Sequence, residues 1–195
     1  MEKYPSFPVI PYLNIDLNGG VYVSNSLVWF ALPDNVYYAY DQWDNFNPTV
    51  DQCMIISLDL GTETCTQLLP PRDFDQVPVF MPVVSVLMNC LCFSHCSKEN
   101  NFIMWQMREF RVEASWTKLF KFSYQNLYHH INDNFGYCHL LPLHFFGDSL
   151  ILACNSQHVA LYNRRENKVD ARSSNAFYWS FAKHYVESLV STFWK

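Results

Sequence analysis

The sequence predicts an all-β fold, a partial β-propeller of about three four-stranded antiparallel blades with a short C-terminal helix. Three observations point there. Apolar runs of roughly four to eight residues, rich in Val, Leu, Phe, Trp and Met, recur and are cut off by Asn, Gly or charged clusters, as strands joined by hairpins are. A similar hairpin start recurs at Ser24-Asn25-Ser26-Leu27, Met88-Asn89-Cys90-Leu91 and Gly147-Asp148-Ser149-Leu150, at a period of about 60 residues, and a second hairpin follows each. The 195 residues are 50% hydrophobic and 17% aromatic, enough apolar surface for one sizeable core and biased towards pleated, half-buried surfaces.

In chain order, residues 1–19 form a lead-in in which Pro5, Pro8 and Pro11 block regular structure. The remaining residues, 20–195, form the blade-bearing domain. Its first unit, about 20–70, pairs VYV with SLVWFAL around Ser24–Ser26, then MIISLDL with CTQLLP around Gly61–Thr64. Between these hairpins Asp34–Gln52 is a long polar and aromatic excursion, long enough to read as a functional loop. Pro70–Pro82 connects to the second unit, about 84–123, with strands Val84–Met88, Cys90–Ser94, Phe102–Met107 and Trp116–Phe122. Tyr124–Tyr137 is a linker. The third unit, about 138–180, holds LPLHFF, SLILAC, VALYN and VDA, with Asn175–Trp179 as one further strand. Apolar residues at Phe181, Tyr185, Val186, Leu189, Val190 and Phe193 then follow a helical period, so a helix is predicted over about 181–192, capped by Ser180. Three such blades do not normally close a ring.

A net charge of −5 and a pI near 5.7 argue against nucleic-acid or anionic-membrane partners. The most apolar run, Val77–Phe93, is broken by Pro78, Pro82, Ser85 and Asn89 and is too short for a spanning helix. The 7 cysteines are odd in number and irregular in spacing. No signal-peptide pattern or usable glycosylation sequon accompanies them, which implies free thiols and an intracellular, cytoplasmic and/or nuclear setting.

Candidate chemistry is sparse. Cys90-x-Cys92-x2-His95-Cys96 resembles a metal cluster, but zinc sites use two separated ligand pairs and the second pair is missing. His95 and Cys96 are expected to begin a turn. Glu109 and Glu113 share their turn with Arg108 and Arg111 and read as mutually compensating charges rather than an acid/base pair. No Gly-rich phosphate loop, nucleophile elbow or zincin motif occurs. The expectation is a non-enzyme with no cofactor and no metal. Trp29, Trp105, Trp116 and Trp179 fall in strand patterns and are expected in the core. Tyr37, Tyr38, Tyr40, Trp43 and Phe46 lie in the long excursion, where strand alternation does not account for them. Aromatics on a loop are good interface anchors, so these five are the candidate protein-binding residues.

The stretches IISLDLGTETCTQLLPPRDFD, VLMNCLCFSH, WQMREFRVEASWTKLFKFSYQNL, ALYNRRENKV and AKHYVESLVS are similar, in order, to the F-box-associated interaction domain of plant F-box proteins. The closest likeness is to legume members of the F-box/kelch-like group, and it runs from about Gly20 to Ser191. The resemblance implies the substrate-recognition propeller of an SCF-type ubiquitin ligase, whose partner is a protein substrate. The leucine-rich helical F-box has no counterpart before Gly20, so the likeness is to the C-terminal portion of such a protein. Docking on the Skp1-like adaptor is therefore not expected of this segment. The alternative expectations are an F-box-less binding competitor or a truncated, non-functional fragment.

Overall fold

The computed structural model describes residues 20–32, 49–78, 80–124, 140–154 and 158–173. They form three four-stranded antiparallel sheets, each a meander of strands consecutive in sequence. Sheet I contains β1 (Val21–Val23), β2 (Ser26–Ala31), β3 (Met54–Asp59) and β4 (Cys65–Leu68). Sheet II contains β5 (Val83–Leu87), β6 (Cys90–Cys96), β7 (Asn101–Met107) and β8 (Trp116–Ser123). Sheet III contains β9 (Leu141–Phe146), β10 (Ser149–Ala153), β11 (His158–Asn163) and β12 (Lys168–Ser173). Among the described residues the fold is all-β and blade-like. The predicted helix over 181–192, the strand Asn175–Trp179 and the lead-in 1–19 lie outside the described residues.

The turns explain where each hairpin begins. Ser24 and Asn25 take φ of 46° and 58°, and Met88 and Asn89 take 52° and 59°. Two left-handed central residues match the twist of a tight hairpin, which is why Asn sits in both. Gly147, at φ 58°, opens the third turn. Met88, expected at the end of a strand, is a turn residue instead.

The repeat extends to individual hydrogen bonds. In sheet I the Asp59 side chain accepts from the N–H groups of Gly61 and Thr62 at 2.9 and 3.1 Å. In sheet III Asn163 accepts in the same way from Arg165 and Glu166 at 2.9 and 3.2 Å. Glu63 and Asn167 then supply a positive φ at the corresponding place in the two loops. Leu60 N–H donates to the Asn25 carbonyl as Arg164 N–H donates to that of Asp148. In sheets I and III the two turns are thereby tied together at one end of the sheet, whereas in sheet II Arg108 N–H donates within its own loop to the Ser115 carbonyl.

Sheet II lies between the other two, and alternation along its strands supplies both cores. Leu91, Phe93, Trp105 and Met107 face sheet I, where they pack with Val28, Phe30 and Ile55. Cys92, Met104, Phe120 and Phe122 face sheet III and meet Leu150, Leu152, Ala160 and Tyr162. Phe122 stacks on Tyr162 with ring centroids 4.5 Å apart. A bulge in β8 makes this two-sidedness possible. Met104 pairs with Phe120 and Trp105 with Lys118, leaving Leu119 as the extra residue. Trp116 and Lys118 consequently face sheet I, while Phe120 and Phe122 face sheet III, although all four positions are even. The first strands converge, β5 coming within 8 Å (Cα–Cα) of both β1 and β9.

His95 and Cys96, expected to begin a turn, belong to β6. The polar turn starts only at Ser97, whose carbonyl accepts from Asn100 N–H at 3.0 Å.

Candidate protein-contact surface

The β1–β2, β5–β6 and β9–β10 turns and the loops after β3, β7 and β11 emerge at the same end of the sheets. The loop after β7 is the longest of the last three and leans across sheet I. Its Arg111 donates to the Asp59 carboxylate at 3.1 Å and to the Ser26 hydroxyl at 3.2 Å. The N–H groups of Thr62 and Gly61, and then Arg111, hold the Asp59 carboxyl below its ordinary range. Glu113 accepts from Leu69 N–H at 2.8 Å, and the Trp116 indole donates to the Leu69 carbonyl at 3.1 Å. Lys118 reaches Asp73 at 3.3 Å while lying over the Trp105 ring at 4.6 Å. The expected compensation of Glu109 and Glu113 by Arg108 and Arg111 is thus not what forms. The loop spends its charges on the neighbouring sheet, a contact that local sequence spacing does not reveal.

Six large apolar side chains stand exposed towards this end, Leu161 on β11 and five in or beside the turns and loops. Tyr22, Met88 and Phe146 lie in or beside the first turn of each sheet; Leu60 and Val112 lie in the loops after β3 and β7. Phe146 is the most open, at 76%. Adding a Cβ to the adjacent Gly147 would meet nothing within 4 Å. An apolar rim distributed over three sheets and edged by Glu63, Arg108 and Arg165 is the kind of surface a protein partner covers.

No family model, no curated protein and no solved structure matches this chain.

The candidate anchors Tyr37, Tyr38, Tyr40, Trp43 and Phe46 lie outside the described residues, as does Trp179. Trp29 and Trp105 are buried, and Trp116 is half-buried against Leu69. The rim residues were missed by sequence reasoning because each sits singly in a different hairpin. A signal was available: they fall near the same point of each repeat.

The Cys90–Cys96 stretch cannot converge on one ion. Alternation along β6 points Cys90, Cys92 and Cys96 towards sheet III and His95 towards sheet I. His95 is buried between Phe74 and Phe93, with ring centroids 5.0 and 5.9 Å away. Cys96 Sγ instead contacts the Tyr124 hydroxyl at 2.7 Å inside the second core.

Proposed function

We propose that the chain is a protein-recognition module, a partial β-propeller similar to the substrate-binding domain of a plant F-box protein in an SCF-type ubiquitin ligase. The rim of Tyr22, Leu60, Met88, Val112 and Phe146 at one end of three stacked sheets carries this reading, because stacked blades hold such turns rigidly side by side. Tyr37, Tyr38, Tyr40, Trp43 and Phe46, in the connection between β2 and β3, are proposed as further anchors separate from this rim. The captured partner is a protein. A cytoplasmic or nuclear setting accords with six free cysteines among the described residues, and no helix among them is long and apolar enough to cross a membrane.

Affinity capture from plant extract tests the reading, with the wild-type chain beside a Val112→Ser, Met88→Ser double variant. Blots for Skp1-like adaptor and cullin report whether the captured assembly is a ligase. The expected result is a specific protein retained by the wild type and reduced at least about tenfold by the variant, in line with the loss of two interface anchors. Equal capture by both chains would remove the rim from the account. Recovery of chaperones alone would overturn the recognition reading.

A further inference from the structure

Sheet II has both faces covered, whereas sheets I and III each leave one face partly open. On sheet III the face turned away from sheet II carries Phe146, Ile151 and Leu161 at its turn end, with Phe146 and Leu161 exposed and Ile151 half-buried. On sheet I the corresponding side carries Tyr22, Leu27 and Leu58, Tyr22 exposed and the other two half-buried. Trp29 and Ile56, further along that face, are buried. The open apolar area thus lies at the turn end of both sheets. Side chains of this size at matching heights suit face-to-face stacking of one sheet on another.

The repeat states which face should meet which. Leu27, Leu91 and Leu150 occupy the same place in the three sheets. Leu91 faces sheet I and Leu150 faces sheet II, so each sheet turns its leucine face to the one before it. Leu27 turns the same face outward, towards the place a preceding sheet would take. Opposite it, by the same rule, belongs a face like that of Ile151 and Leu161.

Charge favours the same partner. No Lys or Arg occurs between Tyr4 and Pro71, so the sheet I loop offers Glu63 beside an Asp59 already held by Arg111, while the loop after β11 and the start of β12 carry Arg164, Arg165 and Lys168 against a single Glu166. Where sheets I and II meet, a basic loop residue of the later sheet, Arg111, reaches an acidic one of the earlier sheet, Asp59. Stacking sheet I on sheet III would repeat that contact with the signs exchanged, Glu63 meeting Lys168 on the open face, since Arg165 is held by Asp148 and Arg164 lies over Phe120 of sheet II.

We propose that two copies of this chain associate head to tail, sheet III of each stacking on sheet I of the other, to close a ring of six sheets. The inference rests on the stacking of the sheets; it would bury Tyr22 and Phe146 in the seams and leave Leu60, Met88 and Val112 of the recognition rim open. A twofold axis along the ring's centre makes the two seams identical, so the assembly stops at two copies. Six four-stranded sheets fall within the ordinary range for closed propellers.

Sedimentation of the full 195-residue chain over about a hundredfold range of concentration decides the matter. The expected species has twice the 23.0 kDa chain mass and grows no further as concentration rises. Leu161→Glu and Tyr22→Glu, made separately, should each weaken association by at least about 100-fold, because each places a carboxylate in both seams. Mixing the two variants leaves one seam wholly wild type, so the mixture should associate more tightly than either alone. Both side chains are exposed in the single chain, so circular dichroism of the variants should match the wild type. A single-chain mass throughout would overturn the proposal, whether another segment or another protein covers these faces. A dimer indifferent to Tyr22→Glu would overturn it as well, since that pairs sheet III with itself. Masses that keep rising would overturn closure.

Discussion

His95 is a base held where a proton is costly. Both ring nitrogens lack a hydrogen-bond partner among the described residues, and Phe74 stands edge-on to the imidazole at 5.0 Å. Burial lowers its pKa to about 4, against the opposing pull of Asp75 and with a smaller push from Lys118. In the unfolded chain the group takes up its proton near pH 6.5. As pH falls below that value only the unfolded state gains the proton, so stability is lost between about 6.5 and 4. Once both states are protonated no further loss arises from this group. The loss amounts to about 3 kcal/mol. Urea unfolding at pH 7 and pH 4.5 should show it, and His95→Phe should flatten the dependence within that window. An unchanged slope would assign the acid sensitivity to other groups. Thiol reactivity separates residues just as sharply. Burial pushes Cys53 and Cys92 up to about 12, whereas Cys65 is exposed. Iodoacetamide at pH 8 should modify Cys65 in the native protein and reach Cys53 and Cys92 only after denaturation, because the thiolate is the reacting species.

At the scale of the element, strand β8 shows how one residue sets the faces of a sheet. Leu119 interrupts the ladder with β7, letting Trp116 reach Leu69 on one side while Phe120 packs against Tyr162 on the other, ring centroids 5.6 Å apart. Removing it would restore plain alternation and turn either the Trp116 half or the Phe120 half to the wrong core. Deletion of Leu119 should therefore cost at least about 3 kcal/mol by denaturant unfolding, the cost of emptying one large aromatic site. Leu119→Val, which keeps the count, should cost about 1 kcal/mol or less. Similar losses in the two variants would show that the bulge has no part in placing these rings. Apolar runs between turn residues made all twelve strands legible to within about two residues at each end, the usual precision of such boundaries. The instructive difference was β6, which carries on through His95 and Cys96. A polar residue near the end of an apolar run resembles a turn until a facing sheet is known to enclose it.

The whole molecule depends on sheet II being covered on both faces. Phe93 is at its centre, fully buried and within 6.4 Å (ring centroids) of Phe30 on sheet I and of Trp116, with Phe74 edge-on at 5.2 Å. Phe93→Ala should destabilise by about 3–5 kcal/mol, while Leu161→Ala on the open face of sheet III should stay within about 1 kcal/mol for the single chain. Comparable losses would mean that the outer face is as enclosed as the inner one.

From the sequence alone came the all-β class, the three repeating four-stranded units and their turns, because hairpin pairing is local: alternating apolar residues and an Asn or Gly at a tight turn are written within a few positions of each other. The repeated leucines Leu27, Leu91 and Leu150 were legible for the same reason. Tertiary structure alone decided which face of each strand meets which neighbour. It divided the Cys90–Cys96 stretch between two cores, sent Arg111 to Asp59 rather than to Glu109 or Glu113, and gathered Tyr22, Met88 and Phe146 at one end. Those contacts join residues far apart in the chain, and their partners are chosen by how whole sheets stack, which no local pattern records.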